Sequence, residues 1–159
     1  MSMEDLSSVL WRERELLETL LYKLEVEQLV LASGRTHWLA TAAREVEMVL
    51  DRIREIEVLR AVELDTLAFE LGLEPNPSLH QIADASDEPW RTIWLDHREA
   101  FTTVATEIST MSETNRELLT AGYHAAQATL LSLSDGSGTY RADGHVDSGR
   151  RSSLLDRSL

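Results

Sequence analysis

Histidines are the side chains in this sequence best suited to metal or proton chemistry, and they are spaced for neither. His37, His80, His97, His124 and His145 form no His-x-x-x-His or His-Glu-x-x-His pair. A di-iron helical bundle needs Glu-x-x-His on facing helices. The residues three positions before the histidines are Gly34, Pro77, Trp94, Ala121 and Ala142, so that motif is absent. His97 falls on an apolar stripe, a place where a histidine serves as core or seam filler. Phosphate-cradling glycine loops and Gly-x-Ser-x-Gly elbows are also missing. The glycines stand at helix ends, in the C-terminal tail, or alone at Gly122. The acidic pairs Asp87-Glu88 and Glu45/Glu47 have the positions of a helix start and a solvated face. Without cysteine there are no disulfides and no thiolate ligands. These observations predict no catalytic residue, no metal site and no cofactor, and the chain is read as a non-enzyme.

What remains is a set of long helices. Leu, Ala, Glu and Arg dominate a chain with only three prolines and seven glycines, which favours an all-α fold. From Glu4 to about Ala32, apolar residues recur at alternating spacings of three and four. Leu6, Leu10, Leu17, Leu20, Leu24 and Leu31 share one stripe, with Glu13 and Glu27 filling its two gaps. Gly34 ends this helix, and Thr36 is placed to cap the next. The second stripe is Leu39, Ala42, Val46, Val49, Ile53 and Ile56, then Arg60, Leu64, Leu67 and Leu71, with Gly72 at the expected left-handed C-terminus. At about 1.5 Å per residue this helix is roughly 50 Å long. Pro75 and Pro77 force a loop. A short turn over Leu79, Ile82 and Ala83 follows, behind a Ser78 cap. Asp87-Glu88-Pro89 opens a third long helix. Its stripe, Trp90, Trp94, His97, Phe101, Val104, Ile108, Met111, Asn115, Leu118, Gly122, Ala125 and Thr129, is the most regular in the chain. The expectation is an elongated antiparallel, coiled-coil-like bundle of three long helices over residues 1–133, with a disordered polar tail over 134–159.

The charge distribution narrows the partners. Net charge is −13. In the tail, Arg141, Arg150, Arg151 and Arg157 balance Asp135, Asp143, Asp147 and Asp156, so the whole excess lies before residue 134. Such a body repels phosphate backbones and anionic headgroups, which argues against nucleic acid. The excess serves solubility or the steering of a basic partner. No run approaches the roughly 18 apolar residues of a membrane span. The start, Met1-Ser2-Met3-Glu4-Asp5, has neither the basic head nor the apolar stretch of a signal peptide. A soluble protein that stays where it is made is expected.

The third helix ends with more apolar surface than one bundle position needs. Beside Leu118 and Ala125 runs a second stripe of Leu119, Tyr123, Ala126, Leu130 and Leu133. Ala121, Gly122, Ala125, Ala126 and Ala128 form a small-residue surface between the two. Gly122 within a helix costs about 1 kcal/mol relative to alanine. Small residues admit a close helix, and flanking Leu and Tyr can grip it. The second stripe therefore serves a client groove, internal packing, or the pairing of two copies in a homodimer.

Several segments resemble the FlgN-type family of flagellar export chaperones. They are the Leu-rich opening helix around Leu16-Leu17 and Leu20-Leu21, the long second helix, and Asn115-Arg116-Glu117-Leu118-Leu119 leading into the last turns. Tyr140-Arg141-Ala142-Asp143-Gly144 is similar to the family's terminal Tyr-x-Ala-Asp-Gly element, and the likeness spans about residues 6–145. The resemblance implies a bacterial cytoplasmic chaperone of type III export. Such a protein binds the C-terminal helical segment of hook-associated, hook–filament junction proteins and prevents their premature assembly. On that resemblance Leu118, Leu119, Tyr123, Ala126, Leu130 and Leu133 hold the client around Gly122, and Tyr140 docks on the cytoplasmic domain of the export gate. Val146–Leu159 departs from the family pattern. Its Arg150-Arg151 and Leu154-Leu155 are a further contact or filler. The competing reading is a homodimeric coiled-coil scaffold with no export client, whose double stripe is its own interface.

Overall fold

The computed structural model describes residues 2–138. Tyr140 and the greater part of the expected polar tail lie outside the described residues. Four α-helices and one 3-10 turn make up the described chain: α1 (Ser2–Ser33), the 3-10 turn Thr36–Trp38, α2 (Leu39–Leu71), α3 (Leu79–Asp84) and α4 (Trp90–Gly138). No strand occurs among the described residues. The all-α reading holds.

Each boundary has a local cause. Glu4 and Asp5 in the first turn of α1 face the positive end of its dipole. Gly72 sits at φ +71° after α2. Leu73 N–H bonds Ala68 C=O at 2.8 Å, and Gly72 N–H bonds Phe69 C=O at 3.3 Å. This pair of bonds closes a helix through a left-handed residue, which glycine adopts without strain. Ser78 caps α3 in a reciprocal capping box with Gln81. Glu88 Oε2 accepts from Thr92 N–H and Thr92 Oγ1, which secures the start of α4. Thr36 is not the expected cap. It opens the 3-10 turn, and α2 begins at Leu39 without a side-chain cap. Thr36 N–H is taken by Gly34 C=O and Trp38 N–H by Arg35 C=O, so the tight turn itself satisfies these donors.

Two compact units divide the chain, 1–116 and 117–159, and α4 crosses the division. In the first unit, Leu6 and Leu10 of α1 pack with Leu64 and Leu67 of α2, Ile82 and Ala83 of α3, and Trp94 of α4. A second cluster joins Leu20 and Leu24 of α1 to Val46, Val49 and Ile53 of α2, with Ile108 and Met111 of α4 against them. The start of α1 thus meets the end of α2 and the start of α4. The order is up-down-up, and the cores are the predicted stripes.

In the second unit the described part is the rest of α4 alone. No residue from 117 to 135 is buried. The helix itself continues through Ser134-Asp135-Gly136-Ser137 to Gly138. These are poor helix formers, but extending an existing helix gains a hydrogen bond per residue and needs no new nucleus.

Candidate functional site

The polar residues on the stripes make three sets of contacts within the first unit. Glu13 and Arg60 each occupy a gap in their helix's apolar rhythm, and they pair with each other at 2.6 Å. Glu13 is 2% exposed. Burial raises its carboxyl above the usual range; Arg60 pulls it down by charge and hydrogen bond, and Glu57 pushes it up. The second gap, Glu27, is matched in the same way. Asn115 Nδ2 donates to Glu27 Oε1 at 3.1 Å and to Leu24 C=O at 2.8 Å.

His97 makes the third set. Its ring is 1% exposed, edge-on to Trp11 at 5.1 Å and stacked near Trp94 and Phe101. Arg14 Nη1 donates to Nδ1 at 3.4 Å, which leaves the proton of the neutral ring on Nε2. Burial, with the Arg14 guanidinium beside it, pushes His97 down to about 4, against a smaller upward pull from Asp96. A buried imidazole that stays neutral at pH 7 and faces aromatic rings is a seam residue, as the stripe position suggested.

A stability measurement checks this. The imidazole titrates near 6.5 in the unfolded chain and near 4 when folded. Between those values the unfolded chain binds more protons, so stability is complete above pH 6.5 and declines as the pH falls toward 4. The expected loss from His97 is about 2 kcal/mol between pH 7 and pH 5. Glu13 acts with the opposite sign, because its raised carboxyl favours the folded state as the pH falls. The difference between wild type and His97→Leu in urea unfolding at the two pH values isolates the histidine. Equal differences at both would refute the buried neutral ring.

The described part of the second unit offers a surface without titration chemistry. At about 100° per residue, Leu119, Tyr123, Ala126, Leu130 and Leu133 lie within about 40° of one line along α4. The four large side chains of this strip are 52%, 56%, 62% and 66% exposed in chain order. Ala126 and Gly122 are exposed as well, and Leu118 is half-buried. A Cβ added at Gly122 meets nothing within 4 Å, so no packing among the described residues requires glycine there. Tyr123 contributes its ring edge-on to His124 and its hydroxyl as acceptor for Gln127 Nε2. Of the predicted residues, Leu119, Tyr123, Ala126, Leu130 and Leu133 share the strip that the spacing defined, with Gly122 and Leu118 beside it on the same helix.

Nothing else in the described residues gathers reactive groups. No group of three His, Asp or Glu side chains is placed to hold a metal ion among them. The clefts there are open grooves between helices, such as the one lined by Leu21, Gln28, Thr106, Thr110 and Met111. No described helix is long and apolar enough to cross a membrane. Away from its main stripe, α2 also carries Val58, Leu59, Val62 and Phe69 exposed. Apolar residues recurring off the main stripe at 58, 62 and 69 are the signal that was there to be read.

The first unit is thus an all-α antiparallel helical bundle, and the described part of the second is a helix with an exposed apolar strip. The model of the FlgN protein family matches residues 1–148, and the chain belongs to that family. It is therefore a flagellar export chaperone, of a family that binds flagellar export clients and is not a family of enzymes. Neither a curated protein nor a solved structure matches the chain.

Proposed function

We propose that this chaperone works in the bacterial cytoplasm, where it takes the C-terminal helical segment of hook-associated, hook–filament junction proteins onto the end of α4 and delays their assembly until type III export. The observation that supports the reading is the strip of Leu119, Tyr123, Leu130 and Leu133, exposed on a stretch of helix with no buried residue. A contiguous apolar patch on a monomer marks an interaction site. A helix laid along Leu118, Gly122 and Ala126 would approach closely where the side chains are small, and the larger ones would grip its sides. Covering apolar surface contributes roughly 25 cal/mol per Å². The client's assembly-prone apolar face would be occupied in the same step. No nucleotide is needed, because competition at the export gate would release the client, with Tyr140 as the docking residue on the gate's cytoplasmic domain.

Gly122→Leu tests the groove. The free chain has room at this position, and leucine improves helix propensity by about 1 kcal/mol, so helicity is expected to hold or rise. Client affinity in calorimetry is expected to fall about tenfold or more, since the added side chain occupies the line of closest approach. Unchanged affinity would remove the groove. In light scattering, client and chaperone should form a mixed complex. A chaperone that remains a dimer in the presence of client would favour the scaffold reading instead.

Tyr140→Ala separates the two roles. Client binding is expected to stay at the wild-type level while binding to the gate's cytoplasmic domain and client export decline. Normal export by this variant would end the docking assignment.

A further inference from the structure

We infer that the outer face of α2 is a second docking surface, distinct from the end of α4, and that it accepts a basic amphipathic helix of a partner protein. The inner face of α2 is used up by Ile53, Ile56, Leu64, Leu67 and Ala68, all buried. On the opposite side Val58, Val62, Thr66 and Phe69 fall within about 40° of one line, with Leu59 beside them. Phe69 is 88% exposed and Val58 65%, unusual for side chains that normally supply core. Leu59 and Glu55 also edge a groove between α1 and α2, whose other lining residues are Arg12, Glu15, Leu16, Thr19, Arg52 and Ile56. The stripe is therefore continuous with a concavity that can seat a side chain.

Charge identifies the occupant. Between Val58 and Leu71 the sequence carries Glu63, Asp65 and Glu70 and a single basic residue, Arg60. Arg60 turns inward to Glu13. Just before the stripe Glu55 and Glu57 add two further acids against Arg52 and Arg54, and Arg54 is held by Asp51 at 2.7 Å. The apolar line is thus framed by carboxylates in a chain of net charge −13. A second copy of the same face would bring these carboxylates against one another, whereas a helix with Lys or Arg beside its apolar stripe would be steered in and matched.

The probe is a labelled three-heptad helical peptide with Leu at the a and d positions and Lys at e and g. Its counterpart has Glu at e and g. In fluorescence anisotropy with the full chain, the Lys peptide is expected to bind at least about tenfold tighter than the Glu peptide, and to weaken several-fold as salt screens the carboxylates. Val62→Ser with Phe69→Ser is expected to lower Lys-peptide affinity about tenfold or more. These positions are exposed, so circular dichroism and thermal unfolding should be unchanged. Leu130→Asp should leave Lys-peptide binding intact, and the α2 variant should leave client binding intact, so failure here is separate from failure of the α4 site. Equal affinity for the two peptides, or an α2 variant that binds normally, overturns the inference. A doubled mass of the free chain that Val62→Ser abolishes overturns it in favour of a second copy. Tighter Lys-peptide binding after Leu154→Ser with Leu155→Ser overturns it in favour of the chain's own C-terminal end.

Discussion

With Leu119→Asp and Leu130→Asp together, client affinity is expected to fall at least about 100-fold while the free chaperone stays folded. Each leucine contributes about 1.5–3 kcal/mol when its side chain is fully covered, and 100-fold in affinity is about 2.7 kcal/mol. Aspartate does more than remove that term, since a carboxylate pressed into an apolar contact loses its hydration without a partner. The free chain has little to lose, because both side chains stand in solvent at 52% and 62% exposure. Substitutions at such sites usually change stability by about 0.5 kcal/mol or less. Titration calorimetry with the client segment, beside thermal unfolding of the free variant, checks both halves. An affinity within threefold of wild type would show that the strip is not where the client lies.

Trp94→Ala is expected to be the most destabilising single change in the chain, about 3–5 kcal/mol. Trp94 is fully buried. It is the α4 member of the cluster that joins all four helices, and it stacks on Trp90 with ring centroids 5.2 Å apart. Its indole N–H also has a partner, donating to Ser86 Oγ at 3.3 Å, and Ser86 Oγ in turn donates to Ile82 C=O at 2.6 Å. Alanine leaves a cavity at the point where α1, α2, α3 and α4 converge. In a chain of this size the melting temperature is expected to drop by about 10 °C or more. Trp94→Phe keeps most of the packing and loses the Ser86 bond, so it should fall between the two. A Trp94→Ala chain with a wild-type melting curve would mean that this cluster contributes little.

The polar contacts on the stripes explain why the helices adopt one offset and not another. Leucine stripes can slide by a turn and still meet leucines. Glu13 cannot, because a slip would leave a buried carboxylate without Arg60, and breaking such a pair is strongly unfavourable. Glu27 with Asn115 and Arg14 with His97 impose the same condition between α1 and α4. The gaps in the apolar rhythm are thus the residues that set register, as a polar residue does in a coiled-coil seam.

Much of this was legible in the residues alone. The extents of α1 and α2, the break at Gly34, the left-handed end at Gly72, the Ser78 cap and the buried stripes follow from helical periodicity and from backbone preferences. Those are local properties that act within a few residues. Glu13, Glu27, Arg60, His97 and Asn115 were visible as stripe positions, but their partners were not, because pairing between helices joins residues up to 91 positions apart. Thr36 was misread for a similar reason: a competing 3-10 turn satisfied the donors that a cap would have served. The second strip of α4 could be drawn from spacing, yet spacing could not say whether a neighbour covers it. Only the tertiary structure decided that Leu119, Tyr123, Leu130 and Leu133 stay exposed. It also decided that the outer apolar line of α2, present in the spacing of residues 58, 62 and 69, stays exposed. Periodicity marks which residues share a face, whereas burial depends on what the rest of the chain places against that face.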